Sequence, residues 1–344
     1  MARLNFDDYR IVLITPLMVE AQAAWHMLDK EHEGEFPTSP GDDFMYSAGE
    51  INGHNVAVAT FPSGGVYGVG SAAALAAQIK NTFRKLWFGL LVGVAAGLPD
   101  LHGEPKRDIR LGDVLVGLGD GNSAGLVSYG LGKETSEGFK ILEWGIQAKT
   151  IPILRSAIAK MRLRATTHPH TFLQHYEKIK GKPHEEGVFE DPGQEKDILY
   201  EKIIDQEGQR TQPVHRELRS STTRTKIWYG KIGSGDRLIK NADERDRLRN
   251  TFDLIGLEME AAGTMNSIDV AVIRGVCDYG DAQKNKEWQP YAAAMAAAYA
   301  RAILYSIPAE TKSKGIAKLE ETARNQILVD EGPKKKVEEH HGRF

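Results

Sequence analysis

Gly256-Leu-Glu-Met-Glu-Ala-Ala-Gly-Thr-Met265, followed closely by Val270-Ala-Val-Ile-Arg-Gly-Val-Cys-Asp-Tyr-Gly280, decides the fold. Both stretches open on apolar runs that read as buried strands. Each run ends in carboxylates: Glu258 and Glu260 after the first, Asp278 after the second. Acidic groups at the ends of buried parallel strands lie where open α/β sheets bind ligands. Such an edge suits a polar, hydroxyl-rich ligand with an acid at hand for proton transfer.

Working outward, Ile11 to Thr15 reads as a buried first strand, and Val19 to Leu28 as the helix after it. Phe44 to Ala48 and Val56 to Phe61 read as strands joined by a hairpin turn at Asn52-Gly53. Ser63 to Gly70 is a glycine-rich loop, with Ser71 placed to cap an alanine-rich helix that runs to about Lys80. Phe88 to Val94 and Val114 to Leu118 are further strands, and Ile227 to Asp236 restores the strand pattern. Tyr291 to Tyr305 reads as a long final helix. This alternation points to α/β architecture with a mixed sheet. Residues 133–226 interrupt it as a charged insertion, partly irregular, with a helix at Ile153 to Leu163. Residues 1–308 are expected to form one domain. Residues 309–344 form a Lys- and Glu-rich tail, partly disordered beyond a surface helix at Ile316 to Leu328.

The bulk numbers exclude several classes. The chain has 344 residues, 41% hydrophobic and 26% charged, which is ordinary for a globular protein. A net charge of −3 gives no grip on nucleic acid or an anionic membrane. No run reaches the roughly 20 apolar residues that span a bilayer, and the N-terminus lacks the apolar core of a signal peptide. One cysteine, Cys277, rules out an internal disulfide and a cysteine-rich zinc site. A cytoplasmic location is expected. The 11 histidines are scattered, and His168-Pro-His170 lacks partners for a metal site, so neither metal nor cofactor is expected.

Each candidate residue has two readings. Glu20, one turn beyond the first strand, suits a base that takes a proton from water, or a carboxylate that complements a helix dipole. Ser63 and Gly64 lie in a loop whose backbone N–H groups suit a sugar or an anion, though such turns also occur for steric reasons. The loop matches neither the Walker nor the dinucleotide spacing. Glu258 and Glu260 alternate along an extended segment and so face one way, unless one caps the next helix. Met259 between them faces the core on this pattern. Asp278 suits an acid near a ring nitrogen, or an ion pair with Arg274. Cys277 reads as a small apolar filler.

Taken together, these motifs resemble the purine nucleoside phosphorylase/uridine phosphorylase superfamily, and within it the nucleosidase branch. Ile14-Thr-Pro-Leu-Met-Val-Glu20 resembles the first strand and glutamate-bearing turn of methylthioadenosine/S-adenosylhomocysteine nucleosidases. Gly93-Val-Ala-Ala-Gly-Leu98, Leu111-Gly-Asp-Val114, Gly233-Ser-Gly-Asp236, Leu257-Glu-Met-Glu-Ala261 and Arg274 to Asp278 are similar to later family motifs, in the family's order. Cys277 to Ala294 looks like the fungal members, which often precede NACHT or ankyrin-repeat domains; here a stand-alone member is expected.

The resemblance implies a nucleoside-phosphorylase-like three-layer α/β/α fold with a central mixed, twisted sheet. It implies that Glu20 activates water, that Arg274 positions Glu20 or the water, and that Asp278 supports protonation of the departing base. Met259 and Glu260 would hold the ribose, with Ser63, Gly64, Val94, Ala95, Gly235, Leu238 and Glu258 around the substrate. Val94 replaces a serine common in relatives, and Leu238 an aromatic that stacks on adenine. The implied activity is a purine nucleoside hydrolase releasing adenine or a related base from ribose, in a homo-oligomer, most simply a dimer. The alternatives are a phosphate-dependent phosphorylase and a non-catalytic nucleoside-sensing module. Phosphorylases of the superfamily place arginines after the first strand and near the glycine turn. This chain has Leu17-Met18-Val19 and Leu91 there, so the sequence provides no cationic seat for phosphate.

Overall fold

The Val- and Ile-rich runs form the strands of one large sheet. The computed structural model describes residues 2–309, except 65–66, 121–122, 131, 137, 142–148, 169–170 and 206–207. Strand β1 (Ile11–Ile14) is buried throughout and is followed by helix α1 (Met18–His26). Strands β2 (Lys30–Glu31), β3 (Tyr46–Ile51) and β4 (His54–Ala59) form an antiparallel ladder. Asn52 and Gly53, with φ of 52° and 79°, supply the two left-handed residues of a primed hairpin turn between β3 and β4.

Helix α2 (Val69–Thr82) leads to β5 (Phe88–Gly97), β6 (Val114–Gly117) and β7 (Leu126–Ser128). The insertion carries the hairpin of β8 (Gly132–Thr135) and β9 (Gly138–Ile141), then helices α3 (Pro152–Ala165) and α4 (Leu173–Tyr176). Two more hairpins follow, β10 (Pro183–His184) with β11 (Gly187–Val188), and β12 (Tyr200–Asp205) with β13 (Gly208–Pro213). The chain returns through β14 (Ile227–Ser234), α5 (Ala242–Phe252) and β15 (Leu254–Glu258). Helix α6 (Ala261–Met265), β16 (Val270–Asp278) and α7 (Gln289–Ser306) complete it.

The sheet order is β15-β14-β6-β16-β5-β1-β4-β3-β2, with β7 added beside β14. Parallel pairs dominate its centre, β1 with β4 and β5, and β5 with β16, while β16 meets β6 antiparallel. The fold is thus mixed α/β, with α1, α3 and α4 against α7, and α2 against α6. Strand β15 also reaches β5, setting Leu257 opposite Ala96, so β15, β14, β6, β16 and β5 close on themselves. An open edge does not describe this end of the sheet. Strand β5 continues past Val94 to Gly97 because two strands, β15 and β16, accept its last residues.

Two local expectations change. Helix α2 starts before Ser71: Gly68, at φ 100°, precedes it, and the Asp236 carboxylate accepts from Val69 N–H at 2.7 Å. The cap comes from a residue remote in sequence. The charged insertion is also more ordered than its composition implies, because three of its arginines have buried, paired side chains. Arg219 donates to both oxygens of fully buried Asp113, at 2.6 and 3.0 Å. Arg224 grips Asp191, and Arg216 bonds Asp197 and the Tyr279 hydroxyl, each at 2.9 Å. Residues 310–344, including the expected surface helix, lie outside the described residues.

Helix α7 is alanine-rich because it lies close against β16. A Cβ on Gly275 would fall 1.9 Å from the Ala292 carbonyl oxygen, which cannot move without displacing the helix. Gly275→Ala is expected to destabilise the fold by about 1–3 kcal/mol, as overpacking does. Urea unfolding of the two proteins measures it, and equal midpoints would contradict this account of the α7–β16 contact.

Candidate active site

Arg274, in the middle of β16, is fully buried and gathers three carboxylates. Its Nη2 donates to Glu258, and to Glu260 Oε2 at 2.9 Å, while Nη1 lies 3.9 Å from Glu20 Oε1. Gly93 on β5 makes this possible: a Cβ there would sit 2.3 Å from both Arg274 Nη1 and Glu20 Oε1. Glu20 is held at both oxygens. Leu17 N–H donates to Oε2 and Val94 N–H to Oε1, each at 2.7 Å. Glu20 therefore caps α1, as the helix-dipole reading has it, and it also lines the cavity described below.

Glu258 ends β15 and accepts from the N–H groups of Glu260 and Ala261, at 3.1 and 3.0 Å, so it serves as the cap of α6. Glu260 and Met259 turn toward the cavity, which corrects the core placement of Met259 read from alternation. The chain leaves extended geometry at Glu260 (φ −125°, ψ −27°), and strict alternation ends there. Burial pushes the Glu20 carboxyl up to about 7, with Arg274 opposing and Glu260 reinforcing. Burial likewise pushes Glu260 up to about 7, against Arg274 and with Glu258.

Asp278, at the end of β16, does not pair with Arg274. Its Oδ2 lies 2.8 Å from Lys284 Nζ, and Gly280 N–H donates to its Oδ1 at 2.8 Å. The Cys277 thiol, buried beside it, points at Oδ2 from 3.3 Å. Burial first, and Asp278 second, raise that thiol well above its usual range, which suits a filler and not a nucleophile.

Glu20, Val94, Ala95, Leu238, Glu258, Met259, Glu260 and Asp278 all line one cavity of about 730 Å³. Ser63, Gly64 and Gly235 do not. Ser63 and Gly64 are exposed, and Tyr67 represents their loop in the lining. Gly235 is buried against the Tyr129 ring, 2.9 Å from where its Cβ would be. Arg274 lies behind the lining and acts on it through the carboxylates.

Sequence reading missed Tyr129, Tyr67 and Lys284. Tyr129 donates to the carbonyls of Gly235 and Arg237, at 3.3 and 3.0 Å, and so holds the 235–237 loop. Nothing in the sequence around Tyr129 signals that. For Lys284 the sequence offers a glycine just after Asp278: Gly280 takes a left-handed φ of 63°, and Lys284 Nζ lies 2.8 Å from Asp278 Oδ2. The expected lack of cations is also corrected, because Arg237, Lys240, Lys284 and Lys286 line the cavity. They come from the loops after β14 and β16, not from Leu17-Met18-Val19 or Leu91. Among the described residues no group of His, Cys, Asp and Glu is arranged to hold a metal ion, and His170 lies outside those residues. No described helix is long and apolar enough to cross a membrane.

No family model matches the chain. A nucleotide-binding leucine-rich repeat (NLR)-like protein of Hyaloscypha variabilis is 39% identical over 302 residues, 87% of this chain. The chain spans 29% of the length of that curated relative. Among solved structures, futalosine hydrolase of Helicobacter pylori is 15% identical, with TM-score 0.56 over 87% of this chain and 98% of its own. The 5′-methylthioadenosine/S-adenosylhomocysteine nucleosidase of the same organism is 14% identical, with TM-score 0.56 over 87% and 99%. That of Neisseria meningitidis, in complex with methylthio-immucillin-A, is 18% identical, with TM-score 0.50 over 86% and 99%. The chain has the fold of this nucleoside phosphorylase/nucleosidase superfamily, with its central mixed sheet.

The raised carboxyls have a consequence for stability. A carboxyl raised to about 7 in the folded state holds its proton where the unfolded chain has lost it, so its stability contribution falls as pH rises from about 4.5 to 7. Replacing Glu20 by Gln removes one such group. Relative to wild type, Glu20→Gln is expected to gain stability between about pH 5 and pH 8, on the order of a few kcal/mol. Urea titrations at the two pH values measure the difference; a pH-independent offset would show that Glu20 titrates normally.

Proposed function

We propose that this protein is an N-glycosyl hydrolase that cleaves a purine nucleoside, adenosine or a close relative, into free base and ribose. The observation that carries the reading is that Glu20, Glu260 and Asp278, distant in sequence, line one cavity beside Met259. Breaking an N-glycosidic bond builds positive charge on the sugar and negative charge on the base. Carboxylates at the sugar and an acidic centre at the base answer those two charges.

In this reading Glu20 takes a proton from the attacking water. Its backbone donors fix both oxygens, and lone pairs remain for the water. A carboxyl at about 7 is matched to proton transfer near neutral pH. Glu260, steered by Arg274, accepts from the ribose hydroxyls, and Met259 packs against the ribose. Val94, Ala95 and Leu238 bound the rest of the nucleoside. Asp278 and its neighbours serve the departing base. The solved nucleosidases of this fold, and the immucillin complex among them, support a nucleoside ligand.

The test is product analysis. Purified protein is incubated with adenosine, inosine, guanosine and methylthioadenosine, with and without phosphate. Adenosine 5′-monophosphate belongs in the panel, because the exposed cations Arg237, Lys240 and Lys286 line the cavity. Free ribose without phosphate is the expected product. Ribose 1-phosphate formed only with phosphate would identify a phosphorylase, and no base release from any substrate would identify a binding module.

Two outcomes follow for the active protein. Asp278→Asn is expected to lower kcat by roughly 10²–10⁴-fold while the thermal midpoint stays close to wild type. Near-normal turnover would remove Asp278 from the mechanism. The rate is expected to rise with pH through about 7 as Glu20 ionises, read from kcat/KM between about pH 5 and pH 9. A flat profile across that range would exclude Glu20 as the base.

A further inference from the structure

Asp278 is surrounded by proton donors. Gly280 N–H reaches Oδ1 at 2.8 Å, Lys284 Nζ reaches Oδ2 at 2.8 Å, and the Cys277 thiol faces Oδ2 at 3.3 Å. Both oxygens of Asp278 are thus engaged as acceptors, and neither is aimed free into the cavity as a proton donor. The mobile proton beside it belongs to the Lys284 ammonium. Lys284 lines the same cavity, and its side chain is 21% exposed against 3% for Asp278. Nothing else among the described residues forms an ion pair with Asp278. Burial works against the ammonium, but Asp278 outweighs it and raises the Lys284 pKa, so the proton is in place at neutral pH.

We propose that Lys284 is the proton source for the departing base, with Asp278 as the carboxylate that orients Lys284 and relays the proton. The inference rests on the nucleosidase reading and adds a residue to it. The step balances as follows. The C1′–N bond breaks and its electron pair goes to the base. A proton passes from Lys284 Nζ through Asp278 Oδ2 to a ring nitrogen, leaving a neutral amine. The water oxygen bonds to C1′ and its proton goes to Glu20. Lys284 regains a proton from solvent, which its partial exposure permits.

The role separates from simple packing by choice of leaving group. Wild type, Lys284→Met and Lys284→Arg are compared on adenosine and on two ribosides whose leaving group needs no proton, 4-nitrophenyl β-D-riboside and 7-methylguanosine. Lys284→Met is expected to lose roughly 10²–10³-fold in kcat on adenosine and to stay within about threefold of wild type on the ribosides that leave unaided. Lys284→Arg restores part of the adenosine rate, since a guanidinium keeps the charge but releases a proton less readily. An equal loss on all substrates would make Lys284 a structural partner of Asp278, and unchanged adenosine turnover would remove it from the reaction; either result overturns the proposal. Wild type that releases base or nitrophenolate from none of them overturns the nucleosidase reading itself, a result distinct from the other two.

Discussion

The buried guanidinium of Arg274 is the constraint on which the site depends. It is one cation facing three carboxylates, Glu20, Glu258 and Glu260, where solvent does not reach it. An unpaired charge at that depth is strongly destabilising, so the surrounding elements are fixed by what Arg274 needs. β16 carries the cation, α1 carries Glu20, and the β15–α6 junction carries the other two. Gly93 leaves the space through which they meet. The charge count is uneven, and the cluster resolves it by holding protons: Glu20 and Glu260 both sit at about 7. Structural necessity thereby leaves carboxyl groups that titrate near neutral pH at the cavity wall.

The Asp278 side of the cavity has the opposite electrostatics. There one carboxylate meets one ammonium and one backbone donor, and the charges balance. The two ends of the cavity thus differ in charge balance: one cation faces three carboxyl groups at Arg274, and one cation faces one carboxyl group at Asp278. The exposed cations of the lining add positive charge on the loops after β14 and β16, away from the Arg274 cluster in sequence.

The insertion supports this arrangement from behind. Asp197 accepts from Tyr279, the residue after Asp278, and from Arg216. Asp113 accepts from Arg219, from Trp228 Nε1 at 2.8 Å and from Lys226 N–H at 2.8 Å. The Gly112-Asp113 motif is therefore an anchor that ties the insertion to β6 and β14. That region reads as a charged, partly irregular insertion because sequence shows charge but not pairing. The pairs join residues 19, 33 and 106 positions apart, the last being Asp113 with Arg219, and no local pattern reveals them.

Period and composition along the chain sufficed to determine the strands at Ile11, Phe88, Val114 and Val270, a strand running through Gly256-Leu257, the Asn52-Gly53 turn, and the alanine-rich last helix. These are local properties, since burial of a Val- or Ile-rich run and the left-handed preference of Asn-Gly need no distant partner. The same reading placed Glu260 and Asp278 as carboxylates after strand ends, and Glu20 one turn beyond the first strand. Only the tertiary structure decided which of them meet. It set Glu258 as a cap and Met259 toward the cavity, left Ser63, Gly64 and Gly235 outside it, and gave Lys284, not Arg274, to Asp278. The reason is that a side chain's partner depends on sheet closure and on loops returning through space, whereas sequence records only order along the chain.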